Sequence, residues 1–191
     1  MSPEIKHPKE IVENRFQEIW LIFALMTIVS FVNSHSLHGY IKNEKLRTAY
    51  RIVYRSQPWP VARDMCAEEG GKLAVPKSEE EFLFLQKLVR GMHYPAVTDA
   101  ADKLVVWLGI SNLHDHKIWT SVDGDDIREI GFDRWAGENG LTTSSSVLTL
   151  SSNAAEEPHC AALDAASPGL RDWWCHLRQP FLCQIQLDND D

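Results

Sequence analysis

Four cysteines constrain this chain more than any other feature. Cys66 stands alone, whereas Cys160, Cys175 and Cys183 crowd into the last thirty or so residues. The run from Cys160 to Cys183 contains a Pro168-Gly169 turn signal and an apolar Phe181-Leu182 beside its final cysteine. None of the four belongs to a Cys-x-x-Cys pair, the spacing that holds structural zinc or makes a redox-active dithiol. An even number without that spacing reads as disulfides in an oxidising compartment, and as reduced core thiols otherwise.

The compartment turns on Ile19 to Val32, fourteen residues without a charge. As a helix this run is about 21 Å long, short of the roughly 30 Å hydrocarbon core of a bilayer. It reads as the apolar region of a signal peptide, with small residues for cleavage at Val32-Asn33-Ser34 or Ser34-His35-Ser36. The segment before it is long and its charges nearly cancel, so a retained signal anchor is the second reading, and a stable membrane span is not favoured. The net charge of -8, with no basic run or stripe, excludes the clustered Lys and Arg that nucleic-acid binding needs. At 191 residues, 44% of them hydrophobic, the chain has room for one globular domain with a sizeable core.

Past a polar connector, Thr48 to Tyr54 has the composition of a first strand. Residues Pro58 to Gly71 carry the marks of a short helix, with Pro at the start, Gly at the end, and Trp59, Ala62 and Met65/Cys66 at helical intervals. Lys72 to Val75 is a short strand. Ser78-Glu79-Glu80-Glu81 has the form of a capping box, and the helix it opens buries Phe82, Leu85 and Leu88/Val89 before Gly91. His93 to Asp102 is a loop. Leu104 to Ile110 is a near-continuous apolar run, as expected for a strand covered on both faces. Ile118 to Ser121 enters a tight turn at Asp123-Gly124. From Ala136 to Pro158 no period appears, and Thr142 to Asn153 holds eight Ser or Thr in twelve residues. A loop of that length is a binding surface or an insertion. His159 to Leu163, the segment Arg171-Asp172-Trp173-Trp174 and a strand Pro180 to Ile185 close the domain.

In that order, Trp59-x-x-Ala62-x-x-x-Cys66-x-x-x-Gly70-Gly71-x-Leu73-Ala74, Trp107-Leu108-Gly109-Ile110, Phe132-x-x-Trp135-x-Gly137-Glu138 and Cys160…Asp172-x-x-Cys175…Cys183 resemble a C-type lectin domain, similar to secreted single-domain lectins of insect immunity. The resemblance covers about Tyr50 to Ile185. It implies an α+β fold of two helices, two small antiparallel sheets and a long loop. It also implies the disulfides Cys66–Cys183 and Cys160–Cys175. The expected organisation is a signal peptide or anchor at 1–34, a linker at 35–48, the lectin-like domain at 49–186 and a polar tail at 187–191.

Lectins of this family grip sugar hydroxyls through a calcium ion, a hard cation that takes six to eight oxygen ligands. The matching positions here are Glu138 and Asn139, without the intervening proline of the family's loop motif, then Glu157 (or Glu156) ahead of Cys160, and Asp172. The amide expected beside Asp172 is Arg171, a fixed cation that opposes an ion. Two functional readings follow. In one, Glu138, Asn139, Glu157 and Asp172 hold calcium and a glycan. In the other, Arg171, Trp173, Trp174 and the Ser/Thr-rich loop bind a microbial polysaccharide, lipopolysaccharide or protein partner without the metal. For this second mode, Arg pairs with carboxylate or phosphate and Trp stacks on a sugar face. At least one of the two tryptophans is expected in the core. His114-Asp115-His116 reads as an exposed turn, and with no His-Glu-x-x-His, Gly-x-Ser-x-Gly or phosphate loop the chain is not read as an enzyme. The resemblance points to a secreted pattern-recognition module of innate immunity, and a regulatory or reproductive-fluid protein is the alternative.

Overall fold

The computed structural model describes residues 38–140 and 158–187. The expected leader at 1–34, the Ser/Thr-rich stretch at 142–153 and all of the polar tail except Leu187 lie outside the described residues. In chain order the elements are β1 (Ile41–Asn43), β2 (Thr48–Gln57), α1 (Trp59–Glu68), β3 (Lys72–Leu73), α2 (Glu79–Arg90), a 3-10 turn (Tyr94–Ala96), β4 (Val105–Ser111), β5 (Thr120–Ser121), α3 (Ile127–Ile130), β6 (His159–Asp164), β7 (Arg171–Trp174) and β8 (Gln179–Gln186).

The strands run β1-β2-β8-β4-β6-β7, with β3 added on β8 and β5 on β4. Every pairing is antiparallel except β4 with β8, which meet in parallel at Trp107 and Phe181. Two small antiparallel groups are thus joined through one parallel contact, and the expected α+β lectin-like fold is present. The connector expected at 35–48 holds a strand of its own, because Asn43 Oδ1 accepts the Leu46 N–H at 3.2 Å and turns β1 back onto β2. The four-residue α3 is a second addition, capped by Asp126.

The apolar run becomes β4, buried at all seven positions. Its alternation serves two cores: Val106, Leu108 and Ile110 join the larger cluster with Phe82, Leu85 and Leu163, whereas Val105 and Trp107 join Trp59, Cys66, Cys160 and Phe181. Gly109 lies where β4 crosses β3, and a Cβ there would stand 2.6 Å from the Leu73 carbonyl oxygen. The face of α1 expected inward is inward, with Trp59, Ala62 and Cys66 buried. Trp59 Nε1 donates to the Leu108 carbonyl at 2.6 Å, and Trp107 Nε1 to that of Gln57 at 3.0 Å, so the indoles bury their rings without orphaning their N–H groups.

Helix α2 begins as its sequence dictates, with the Glu81 N–H donating to Ser78 Oγ at 3.2 Å and acids in the first turn facing the positive end of the helix dipole. Phe82 stacks on Phe132 at 4.5 Å. Glu81 is buried but not orphaned. It accepts the Tyr50 hydroxyl at 2.5 Å and the Lys77 N–H at 2.9 Å, and burial together with this carboxylate pushes the Tyr50 phenol far above its usual pKa. Cys66 bonds Cys183 and Cys160 bonds Cys175, and among the described residues no cysteine is free.

Candidate functional site

Strand β7 ends the order of strands, so only β6 flanks it in the sheet. The register sets His159 opposite Trp174, Cys160 opposite Trp173, Ala161 opposite Asp172 and Ala162 opposite Arg171. Residues opposed in an antiparallel pair share a face, and faces alternate along a strand. Asp172, Trp174 and His159 therefore share one face of the ladder, whereas Arg171 and Trp173 share the other with Cys160. The Cys160–Cys175 disulfide locks the root of this hairpin. Trp174 is 44% exposed, its ring 6.1 Å from that of His159. A pocket of about 170 Å³ opens here, lined by His159, Arg171, Asp172, Trp173 and Trp174.

The two faces have different electrostatics. Arg171 Nη1 donates to Asp164 Oδ2 at 3.0 Å, and its guanidinium lies 5.6 Å over the Trp173 ring. Asp164 is nearly buried. That burial alone would raise its pKa, but the Ser167 N–H and hydroxyl, the Ala166 N–H and Arg171 outweigh it and hold the carboxyl at about 2. The pair is thus fully ionised near neutral pH, and the Arg171 cation is matched within the fold instead of standing free beside Asp172. Trp173 packs on the cluster around Cys160 and Cys175, and its buried Nε1 has no partner among the described residues.

The other side of β7 is occupied by the segment that enters the long loop. Leu170 N–H donates to the Arg134 carbonyl at 2.9 Å, and Ala136 N–H to that of Leu170 at 2.8 Å. Farther along, Asp172 N–H donates to Asn139 Oδ1 at 3.1 Å, Gly140 N–H donates to Asp172 Oδ2 at 3.2 Å, and Asn139 Nδ2 donates to the Ala136 carbonyl. Gly140, at φ 75°, sits on the Trp135 indole, where a Cβ would come within 2.2 Å of the ring. Its carbonyl accepts Trp119 Nε1 at 3.0 Å, and the two indoles lie 4.4 Å apart. The loop base is clasped to β7 by hydrogen bonds and aromatic packing.

These contacts bear on the calcium ligands. The structure brings Asn139 and Asp172 together, but Asn139 Oδ1 and one Asp172 oxygen already hold backbone N–H groups. Glu138 is exposed, with no hydrogen bond or ion pair among the described residues, and Glu157 lies outside them. Among the described residues no group of three or more His, Cys, Asp or Glu is placed to hold a metal. The described members of the expected set are thus Glu138, Asn139 and Asp172, and with Asn139 Oδ1 and one Asp172 oxygen already accepting N–H groups they fall short of the six to eight oxygens that calcium takes. His114 and Asp115 are exposed in a turn where Asp115 Oδ1 accepts the Lys117 N–H at 2.8 Å. Sequence reasoning left His159 and Asp164 out of the binding set. The Asp164-x-x-Ser167 spacing is a signal for the turn that Asp164 caps, and His159 is recoverable once the Cys160–Cys175 link brings Trp174 across from it.

A fold of this kind, with a stapled frame and a loop clasped to its edge strand, defines a lectin-type domain. Residues 55–185 match the family model described as Lectin C-type domain, and the chain belongs to that family. It is 25% identical over 138 residues to the hemolymph lipopolysaccharide-binding protein of Periplaneta americana; the match covers 72% of this chain, which spans about half the length of that relative (49%). In structure it is similar to the mouse scavenger receptor C-type lectin carbohydrate-recognition domain (TM-score 0.57, 15% identity, 78% of this chain and 96% of that one). It is also similar to a calcium-independent type II antifreeze protein (TM-score 0.55, 18% identity, 78% and 92%). At these identities the structural likeness speaks for the fold alone. Among the described residues no helix is long and apolar enough to cross a membrane.

Proposed function

We propose that this chain is a secreted recognition module that binds glycans of microbial surfaces at the β7 pocket, without calcium. The single observation that carries this reading is the placement of the half-exposed Trp174 beside Asp172 and His159 on a strand already held by the Asn139–Asp172 clasp. An exposed indole offers its face to the C–H side of a sugar ring, and a carboxylate and an imidazole beside it accept or donate hydrogen bonds to the ring hydroxyls. With the clasp in place, no ion is required to shape the pocket. Secretion is supported by the two disulfides, by the leader-like run at 19–32 and by the hemolymph relative. That relative's printed activity supports lipopolysaccharide and kindred polysaccharides as the first ligands to try. The test is a binding screen of purified glycans and bacterial surfaces, run once with calcium and once with EDTA. The reading expects the same glycans to be retained in both, and the Trp174→Ala variant to lose them. Binding abolished by EDTA would replace it with the calcium-dependent mode of the family.

A further inference from the structure

We infer that the β7 pocket takes a dipolar substituent, an ammonium joined by a short linker to a phosphate ester, carried on a microbial glycan; this rests on the glycan reading above. The residues that line the pocket come from both faces of the ladder. They meet because β7 is the last strand and the loop base bonds it only as far as Asp172, with no bond from that segment to Trp173 or Trp174 among the described residues. One face brings a carboxylate and an exposed indole, and the other brings a guanidinium. Charges of both signs therefore line a single cavity.

The end that suits a cation is Asp172 with Trp174. One Asp172 oxygen accepts the Gly140 N–H and the other has no bond among the described residues, so the carboxylate keeps a free acceptor. Trp174, 44% exposed on the same face, offers its ring, and an ammonium beside an indole and a carboxylate is attracted by both. The end that suits an anion is Arg171, whose side chain is 35% exposed. Its Nη1 holds Asp164, whereas Nε and Nη2, a parallel pair of donors that fits a phosphate, have no bond among the described residues. Asp164 is further held by the Ala166 and Ser167 N–H groups and the Ser167 hydroxyl, so it fixes the guanidinium while its own oxygens are taken. The balance of charge then decides between ligands. Two carboxylates, Asp164 and Asp172, stand against one arginine, so a lone anion meets net repulsion and a lone amine leaves the arginine fork empty. A ligand with both charges answers both ends. Trp174 is the one large apolar side chain exposed among the lining residues, too little apolar surface to enter a bilayer, which favours a glycan over a lipid as the carrier.

The experiment uses the full disulfide-bonded chain in EDTA. Phosphocholine and phosphoethanolamine are compared with choline, inorganic phosphate and methyl glucoside by isothermal titration calorimetry. The dipolar probes should bind at least about tenfold more tightly than any of the three, with the gap shrinking as salt is raised. Arg171→Lys keeps a cation for Asp164 but removes the fork, and should weaken the dipolar probes while leaving choline unchanged. Asp172→Asn keeps an oxygen for the Gly140 N–H, and should weaken the dipolar probes while strengthening inorganic phosphate, an opposed pair of responses that damage to the fold would not produce. The carrier is tested with a bacterial polysaccharide bearing phosphocholine, the same polysaccharide after those esters are hydrolysed, and phosphatidylcholine vesicles; the first should be retained most tightly. Dipolar probes no tighter than choline, phosphate or methyl glucoside, tighter binding that neither variant changes, or vesicles retained as tightly as the polysaccharide each overturn the inference, and the glycan reading then stands if the hydrolysed polysaccharide is retained. No retention of either polysaccharide overturns both.

Discussion

The two disulfides share one apolar cluster but fasten segments of very different character. Cys66–Cys183 joins α1 to β8 beside Trp59, Trp107 and Phe181, all buried. Cys160–Cys175 is as well buried as the first bond, but the hairpin it locks carries an exposed indole, an ion pair and a carboxylate that clasps a loop. The first segment is buried packing. The second is a stable edge on which the groups facing outward are free to differ, and in this chain they differ from the ion-binding pattern of the family.

The largest expected effect breaks that comparison at its frame. Replacing Cys66 and Cys183 together by Ala removes a cross-link between residues 117 apart, whereas the same change at Cys160 and Cys175 opens a separation of 15. Chain entropy puts the losses at about 4.7 and about 3 kcal/mol. Urea denaturation of the two double variants checks the order, and a reversed order would mean that the site hairpin, not the frame, limits unfolding.

Next comes the ion pair under the site. With its pKa near 2 in the fold against about 3.8 unfolded, ionised Asp164 contributes stability that is fully present above the unfolded value and is lost as pH falls from about 4 through about 2. The shift corresponds to about 2 kcal/mol. Asp164→Asn should lose about that much at pH 7 and should flatten the acid limb of the stability curve, both measurable by denaturation at a series of pH values.

Smaller effects sharpen the contrast between clasp and contact. Asn139→Ala removes the acceptor for the Asp172 N–H and should cost about 1 kcal/mol, with faster amide exchange at Asp172. Trp174→Ala should change stability by less than about 0.5 kcal/mol, because the ring is exposed. Glycan affinity should nevertheless fall by up to about tenfold, the scale of a stacked aromatic contact. A Trp174 variant that unfolds easily would show that the indole belongs to the core.

How much of this was legible in the sequence follows the same division. The frame announced itself: the seven buried positions of β4, the inward face of α1 and the Ser78 cap of α2 are set by period and by local chemistry, which a single sequence displays. Strand β1 was hidden in the connector because three residues carry no period. At the site, the residue types were visible but their partners were not. Arg171 reads as a cation beside Asp172 until Asp164, seven positions away on the neighbouring strand, turns it to the other face. Asn139 and Asp172 read as ion ligands until the fold brings them, 33 residues apart, close enough for the Asp172 N–H to donate to Asn139 Oδ1. Nothing local records which of an oxygen's possible partners it will meet.

The central claim is that the β7 site is shaped by the Asn139–Asp172 clasp and needs no metal. It is tested most directly by urea denaturation of the native chain in millimolar calcium and in EDTA. The claim predicts superimposable curves. A site filled at a hundred times its dissociation constant would add about 2.7 kcal/mol, and a calcium-dependent gain approaching that size would contradict it.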